Sequence, residues 1–180
     1  KMLSRSSAAL VVIDFQDKLF QAMQDKENLL VNAARVIRGA KIFDLPLIVT
    51  EQIPEKLGQT IPEVVRELGD GERIAKESFS CWGNERFQER VKILNRRDII
   101  IIGIESHICV YQTTVDLLEN GYNVHIAADA VSSRTRENSD IGLAAMKSCG
   151  ARITSAEMLL FEILRSAGNA GFKDIQKIVK

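Results

Sequence analysis

Three side chains far apart along this sequence carry chemistry if they meet: Asp14, Lys76 and Cys109. A thiol attacks a carbonyl carbon as its thiolate. A neighbouring carboxylate can take the thiol proton, and an ammonium can hold the charge that results. Histidine is the usual base for such a thiol, but the chain has only His107 and His125. His107 stands two residues before Cys109 in the same turn, and His125 falls inside an apolar stretch where it reads as a packed or hydrogen-bonded residue. Asp14 as base with Lys76 as electrostatic partner is the better fit. Singly each residue has a blander role. An aspartate after a strand caps a loop, a lysine is a solvated charge, and a free cysteine is a small buried hydrophobe. What decides between these roles is where the chain puts the three.

Cys109 lies in DIIIIGIESHICV, Asp98 to Val110. The run Ile99 to Ile102 reads as a strand buried on both faces, as in parallel sheets. It stops at Glu105, Ser106 and His107. Helical spacing then begins, with Val110, Thr114, Leu117 and Leu118 on one stripe and Gly121 as C-cap. The sulfur therefore sits where a buried strand turns into a helix, and a helix N-terminus is expected to lower its pKa. Asp14 closes an apolar strand, Ala8 to Ile13, and Lys76 closes a short one, Glu72 to Lys76. Further strands are expected at Pro46 to Thr50, Tyr122 to Ala127 and Ala151 to Thr154. Helices are expected at Glu27 to Phe43, Pro62 to Leu68 and Glu85 to Leu94, after the SSRTRENSD stretch, after Ser155, and at Lys173 to Val179.

Six strands alternating with helices imply one Rossmann-like, three-layer α/β domain over residues 1–180. Its sheet is parallel with six strands in the order 3-2-1-4-5-6. Asp14 and Cys109 then end adjacent strands at the switch-point crevice. The third strand lies two places from the first, on the order of 10 Å at about 4.8 Å per strand. A lysine side chain of roughly 6 Å closes most of that gap.

Other functions lack support. Basic and acidic residues cancel at 24 each, so nucleic acid and membrane surfaces are not expected partners. No apolar run is long enough to span a bilayer, and no signal peptide is read at the start. Three cysteines without CxxC spacing speak against a disulfide framework or a zinc site and for reduced thiols in the cytoplasm. There is no Gly-x-Ser-x-Gly elbow for a serine hydrolase, and no phosphate-cradling glycine loop for nucleotides or NAD.

VVIDFQ with Asp14, RIAKESFS with Lys76 and IIGIESHICVYQT with Cys109 together resemble the isochorismatase-like cysteine hydrolases. TEQIPEKLGQTIPEV and VHIAADAVSSRTREN are similar to the isochorismatase-domain-containing branch, which generally lacks an assigned substrate. The resemblance implies that Cys109 is the nucleophile, Asp14 the general base and Lys76 the charge stabiliser. It also implies a cis peptide between Ile104 and Glu105, with main-chain N–H groups of Glu105 and Cys109 facing the developing oxyanion. It implies a homo-oligomer, a dimer or larger. Nicotinamidases of the family carry metal-binding histidines after the second strand. Here that position reads Thr50-Glu51-Gln52, so no metal and no cofactor are expected.

Retention of Cys109 favours acyl chemistry on a small amide, ureide or related carbonyl compound through a thioester. The alternatives are vinyl ether cleavage of isochorismate with Asp14 as acid, and a non-catalytic binding or scaffold protein on the same fold. Phe20, Gln52, Phe79 and Trp82 fall in loops that should rim the pocket.

Overall fold

The computed structural model describes residues 2–180 of the chain. In chain order the elements are β1 (Ala8–Ile13), α1 (Asp17–Phe20), α2 (Lys26–Ile42), β2 (Leu47–Gln52), α3 (Pro54–Leu57), α4 (Pro62–Leu68), β3 (Ile74–Lys76), α5 (Glu85–Leu94), β4 (Asp98–Ile104), α6 (Tyr111–Glu119), β5 (Asn123–Ser132), α7 (Arg136–Ser148), β6 (Arg152–Thr154), α8 (Ala156–Leu164) and α9 (Phe172–Val179). A 3₁₀ turn, Cys81–Gly83, precedes α5, and a π-helical turn, Ser106–Val110, joins β4 to α6.

The sheet order is β3-β2-β1-β4-β5-β6, with every strand pair parallel. β1 and β4 run through the centre and are buried along their whole lengths. Their side chains alternate between two apolar layers. Leu10, Val12, Ile100 and Ile102 face α2 and α8, while Val11, Ile13, Ile99 and Ile101 face α5 and α6. Each such isoleucine, valine or leucine contributes about 1.5–3 kcal/mol by leaving water, which is why a near-continuous apolar run makes a central strand. β4 approaches β1 closely at Gly103, where φ is +139° and a Cβ would come within 2.2 Å of the Ile13 carbonyl oxygen. Only glycine fits there.

Three local readings change. β2 continues past Thr50 through Glu51 and Gln52, because both polar side chains are buried with partners: Thr60 N–H and Oγ1 donate to Glu51 Oε1, and Gln52 accepts from Lys76 Nζ and donates to the Glu77 carbonyl. β5 runs on past Ala127 to Ser132. Asp129, which looks like a stop, faces the start of α8, and its Oδ1 accepts from Ala156 N–H at 2.8 Å. The connection after β2 holds a short helix, α3, besides α4.

Candidate active site

The carboxyl ends of β1, β2 and β3 bring Asp14, Thr50 and Lys76 together, and the turn after β4 adds Cys109. Asp14 takes a left-handed backbone conformation, φ 51°, as the chain leaves β1, a region that aspartate tolerates better than most residues. Its side chain is wholly buried, and its two oxygens are divided. Thr50 Oγ1 donates to Oδ1 at 2.7 Å, and Lys76 Nζ donates to Oδ2 at 2.8 Å.

Lys76 reaches from β3 past the end of β2 to make that bond, and it makes others. Nζ also lies 2.6 Å from Gln52 Oε1, 3.1 Å from the Ser78 carbonyl and 3.0 Å from the Phe79 carbonyl. An ammonium has three N–H groups, so four acceptors leave it none to offer a ligand. Burial works against its charge, but Cys81, Asp14 and Cys109 outweigh burial and hold its pKa above the usual lysine value.

Gln52 is fixed in turn. Its Nε2 donates to the Glu77 carbonyl at 2.6 Å, and its main-chain N–H donates to Gln16 Oε1 at 2.6 Å. Gln16 Nε2 returns bonds to the Gln52 carbonyl at 2.9 Å and the Gly58 carbonyl at 2.7 Å. Asp14, Lys76, Gln52 and Gln16 thus form a frame across three strand ends. Neither Gln16 nor Thr50 carries a sequence signal beyond being a small polar residue near a strand terminus.

Cys109 is 6% exposed and sits in the π-helical turn. The Glu105 carbonyl accepts from both Ile108 N–H and Val110 N–H, at 3.1 and 3.2 Å. The Ile104–Glu105 peptide is cis. Among the described residues no acceptor bonds the main-chain N–H of Glu105. The expected lowering of the thiol pKa is overturned. Burial first, and the Asp14 charge second, push the Cys109 thiol well up, and Lys76 offsets only part of this. The resting sulfur is a thiol beside a carboxylate.

A second thiol lies behind the pair. Cys81 is wholly buried, with Sγ 3.7 Å from Thr50 Oγ1 and its N–H on Thr113 Oγ1 at 2.9 Å. Burial pushes its pKa up to about 11. Cys149, by contrast, is exposed.

The four expected rim residues part company. Gln52 belongs to the lysine's frame. Phe20 is buried in the apolar layer on the α2 side, whereas Cys109 belongs to the layer of α5 and α6. Phe79 keeps its ring 56% exposed while its carbonyl holds Lys76. The Trp82 ring packs on Phe87, 6.5 Å between centroids, and on Tyr122, 5.9 Å, as a strut within the layer of α5 and α6. Both histidines are placed away from the proton path: His107 Nδ1 pairs with Ser133 Oγ at 2.9 Å, and burial lowers the pKa of His125 near the start of β5. Among the described residues no three of His, Cys, Asp and Glu converge in a way that could hold a metal ion.

With this geometry in hand, comparison with known proteins is direct. The isochorismatase-domain family model matches residues 8–158. The chain is 36% identical over 177 residues to isochorismatase domain-containing protein 2 of Xenopus laevis, covering 98% of this chain and 85% of that one. Among solved structures, the MAR1 ribonuclease from Caenorhabditis elegans superposes with a TM-score of 0.93 at 33% identity, over 99% of this chain and 92% of that one. YcaC from Pseudomonas aeruginosa, described with hexane-2,5-diol and covalent acrylamide, gives a TM-score of 0.93 at 27% identity, over 99% and 91% of the two chains.

Proposed function

The chain belongs to the isochorismatase family, and we propose that within it this protein is a cysteine hydrolase of a small amide, ureide or related carbonyl compound, working through a thioester. The observation that carries the reading is the buried Asp14 carboxylate, fixed by Lys76 at 2.8 Å and Thr50 at 2.7 Å beside the Cys109 thiol.

In this mechanism Asp14 accepts the Cys109 proton as the sulfur bonds to the carbonyl carbon, and the carbonyl π electrons move to oxygen. The oxyanion faces the main-chain N–H groups of Glu105 and Cys109. Asp14 then gives its proton to the leaving nitrogen, the C–N bond breaks, and an acyl thioester remains on Cys109. Water loses a proton to Asp14, attacks the thioester and releases the acid, and the proton returns to sulfur. Lys76 transfers nothing. Its saturated ammonium balances the one negative charge that passes between Asp14, sulfur and the oxyanion.

The substrate is a small molecule and not RNA, although one structural relative is named a ribonuclease. The site cation is buried, and the chain carries as many acidic as basic residues, 24 of each, whereas phosphate backbones are bound by surplus surface cations. We read residues 1–180 as one hydrolase domain that assembles as a homo-oligomer in the cytoplasm. Support for the compartment is the set of three unpaired thiols.

The test is turnover of a panel of small amides, ureides, esters and isochorismate, with intact-mass trapping of the acyl adduct. Turnover lost in Cys109→Ala, with an adduct on Cys109 in the unaltered protein, is expected. Isochorismate turnover undiminished in Cys109→Ala would replace the reading with vinyl ether cleavage. No turnover and no adduct anywhere would leave a binding protein.

A further inference from the structure

We propose that Arg134 determines specificity at this site by taking a carboxylate on the substrate, so that the compound hydrolysed is an anionic small amide or ureide; the inference rests on the reading of Cys109 as nucleophile. The residues leaving β5 run beside those leaving β4. Ser132 pairs with Ile104 in the sheet, Ser133 Oγ meets His107 Nδ1 at 2.9 Å, and Arg134 meets Glu105. Glu105 opens the turn that carries Cys109. Adjacent strand ends lie about 5 Å apart, so Arg134 is rooted alongside the nucleophile turn.

Its root is held at several points. The main-chain N–H and the side-chain Nε of Arg134 both donate to Glu105 Oε2, at 3.0 and 3.2 Å. From the other side Gln24 Nε2 donates to the Arg134 carbonyl at 2.8 Å, and Gln24 N–H to the Ser133 carbonyl at 3.0 Å. Glu105 is itself only 6% exposed, so the guanidinium leans on a fixed, buried carboxylate. Its outer end is different. The side chain is 58% exposed, and among the described residues neither terminal nitrogen, Nη1 nor Nη2, makes a hydrogen bond. A guanidinium steadied through Nε presents its remaining donors as a planar fork, the shape that grips a carboxylate with two parallel bonds.

The local charges permit this ligand. Lys76 cancels Asp14, Arg134 cancels Glu105, and the resting Cys109 is a neutral thiol. An incoming carboxylate meets these charges already paired, and it gains charge-assisted bonds from the guanidinium. A neutral amide of the same size gains none of them.

The experiment needs no natural substrate. Cys109 is alkylated with neutral iodoacetamide and with two anionic relatives of different reach, iodoacetate and N-iodoacetylglycine. Rates are read by peptide mass mapping and scaled to those of N-acetylcysteinamide. At least one anionic reagent is expected to gain about tenfold over iodoacetamide at Cys109. Arg134→Gln is expected to erase that gain, read as the ratio of the anionic to the iodoacetamide rate at Cys109, and Arg134→Lys to keep part of it. The same anionic-to-neutral ratio in the unaltered protein and in Arg134→Gln, with Cys109 still labelled, overturns the inference and leaves the nucleophile standing. Labelling confined to Cys149 overturns the nucleophile and the inference together.

Discussion

Lys76 Nζ lies 2.8 Å from Asp14 Oδ2, with both side chains closed off from solvent. Removing one member of such a pair leaves a buried charge alone and costs about 3–5 kcal/mol. Lys76→Met and Asp14→Asn are each expected to lose stability on that scale in urea unfolding. The double variant, which buries no lone charge, is expected to lose clearly less than the sum. Strictly additive losses would mean that the two charges do not see each other.

Asp14→Asn should move thiol reactivity and catalysis in opposite directions. The Asp14 charge helps to keep the Cys109 thiol protonated. Without it, and with Lys76 uncompensated, the thiol pKa falls, so iodoacetamide labelling of Cys109 at pH 8 should speed up. Turnover loses its base and should drop by about 10²–10⁴. Both rates falling together would show that Asp14 does not govern the sulfur's proton.

Cys81 ties stability to alkaline pH. In the unfolded chain its thiol titrates near 8.5, and in the fold near 11. Below pH 8.5 both states hold the proton and there is no effect. Between the two values only the folded state holds it, so stability falls as pH rises, by about 2–3 kcal/mol by pH 11. Chemical denaturation from pH 8 to 11 should be flatter in Cys81→Ala, and turnover at pH 8 little changed.

Gly142 of α7 packs against the turn that carries Cys109. A Cβ there would sit 2.9 Å from His107 Cα, 3.0 Å from its nitrogen and 3.1 Å from the Ser106 carbonyl carbon. These are backbone atoms that cannot swing aside, so Gly142→Ala should cost about 1–3 kcal/mol and slow turnover. Gly39→Ala, which meets only the Leu160 side chain, serves as control. It should lose stability without altering labelling of Cys109.

The architecture was legible because its signals are local and strong. Apolar runs rich in β-branched residues made Ala8–Ile13 and Asp98–Ile104 central, and the alternation of strands with helices pointed to their order. The strand-terminal positions of Asp14, Lys76 and Cys109 followed from the same runs. Polar residues that work inside the fold were harder to read. Glu51, Gln52 and Asp129 look like strand breakers until their distant partners Thr60, Gln16 and Ala156 are known. Trp82 is apolar enough for a pocket wall or a strut, and only packing decides. A helix-terminus position alone predicts a lowered thiol pKa at Cys109, but the π-helical turn puts Cys109 inside the apolar layer, where burial prevails.

With every proton of the Lys76 ammonium already engaged by Asp14, Gln52, Ser78 and Phe79, no guest molecule can recruit it. Discrimination between guests must therefore be written in the loops that fringe the sheet.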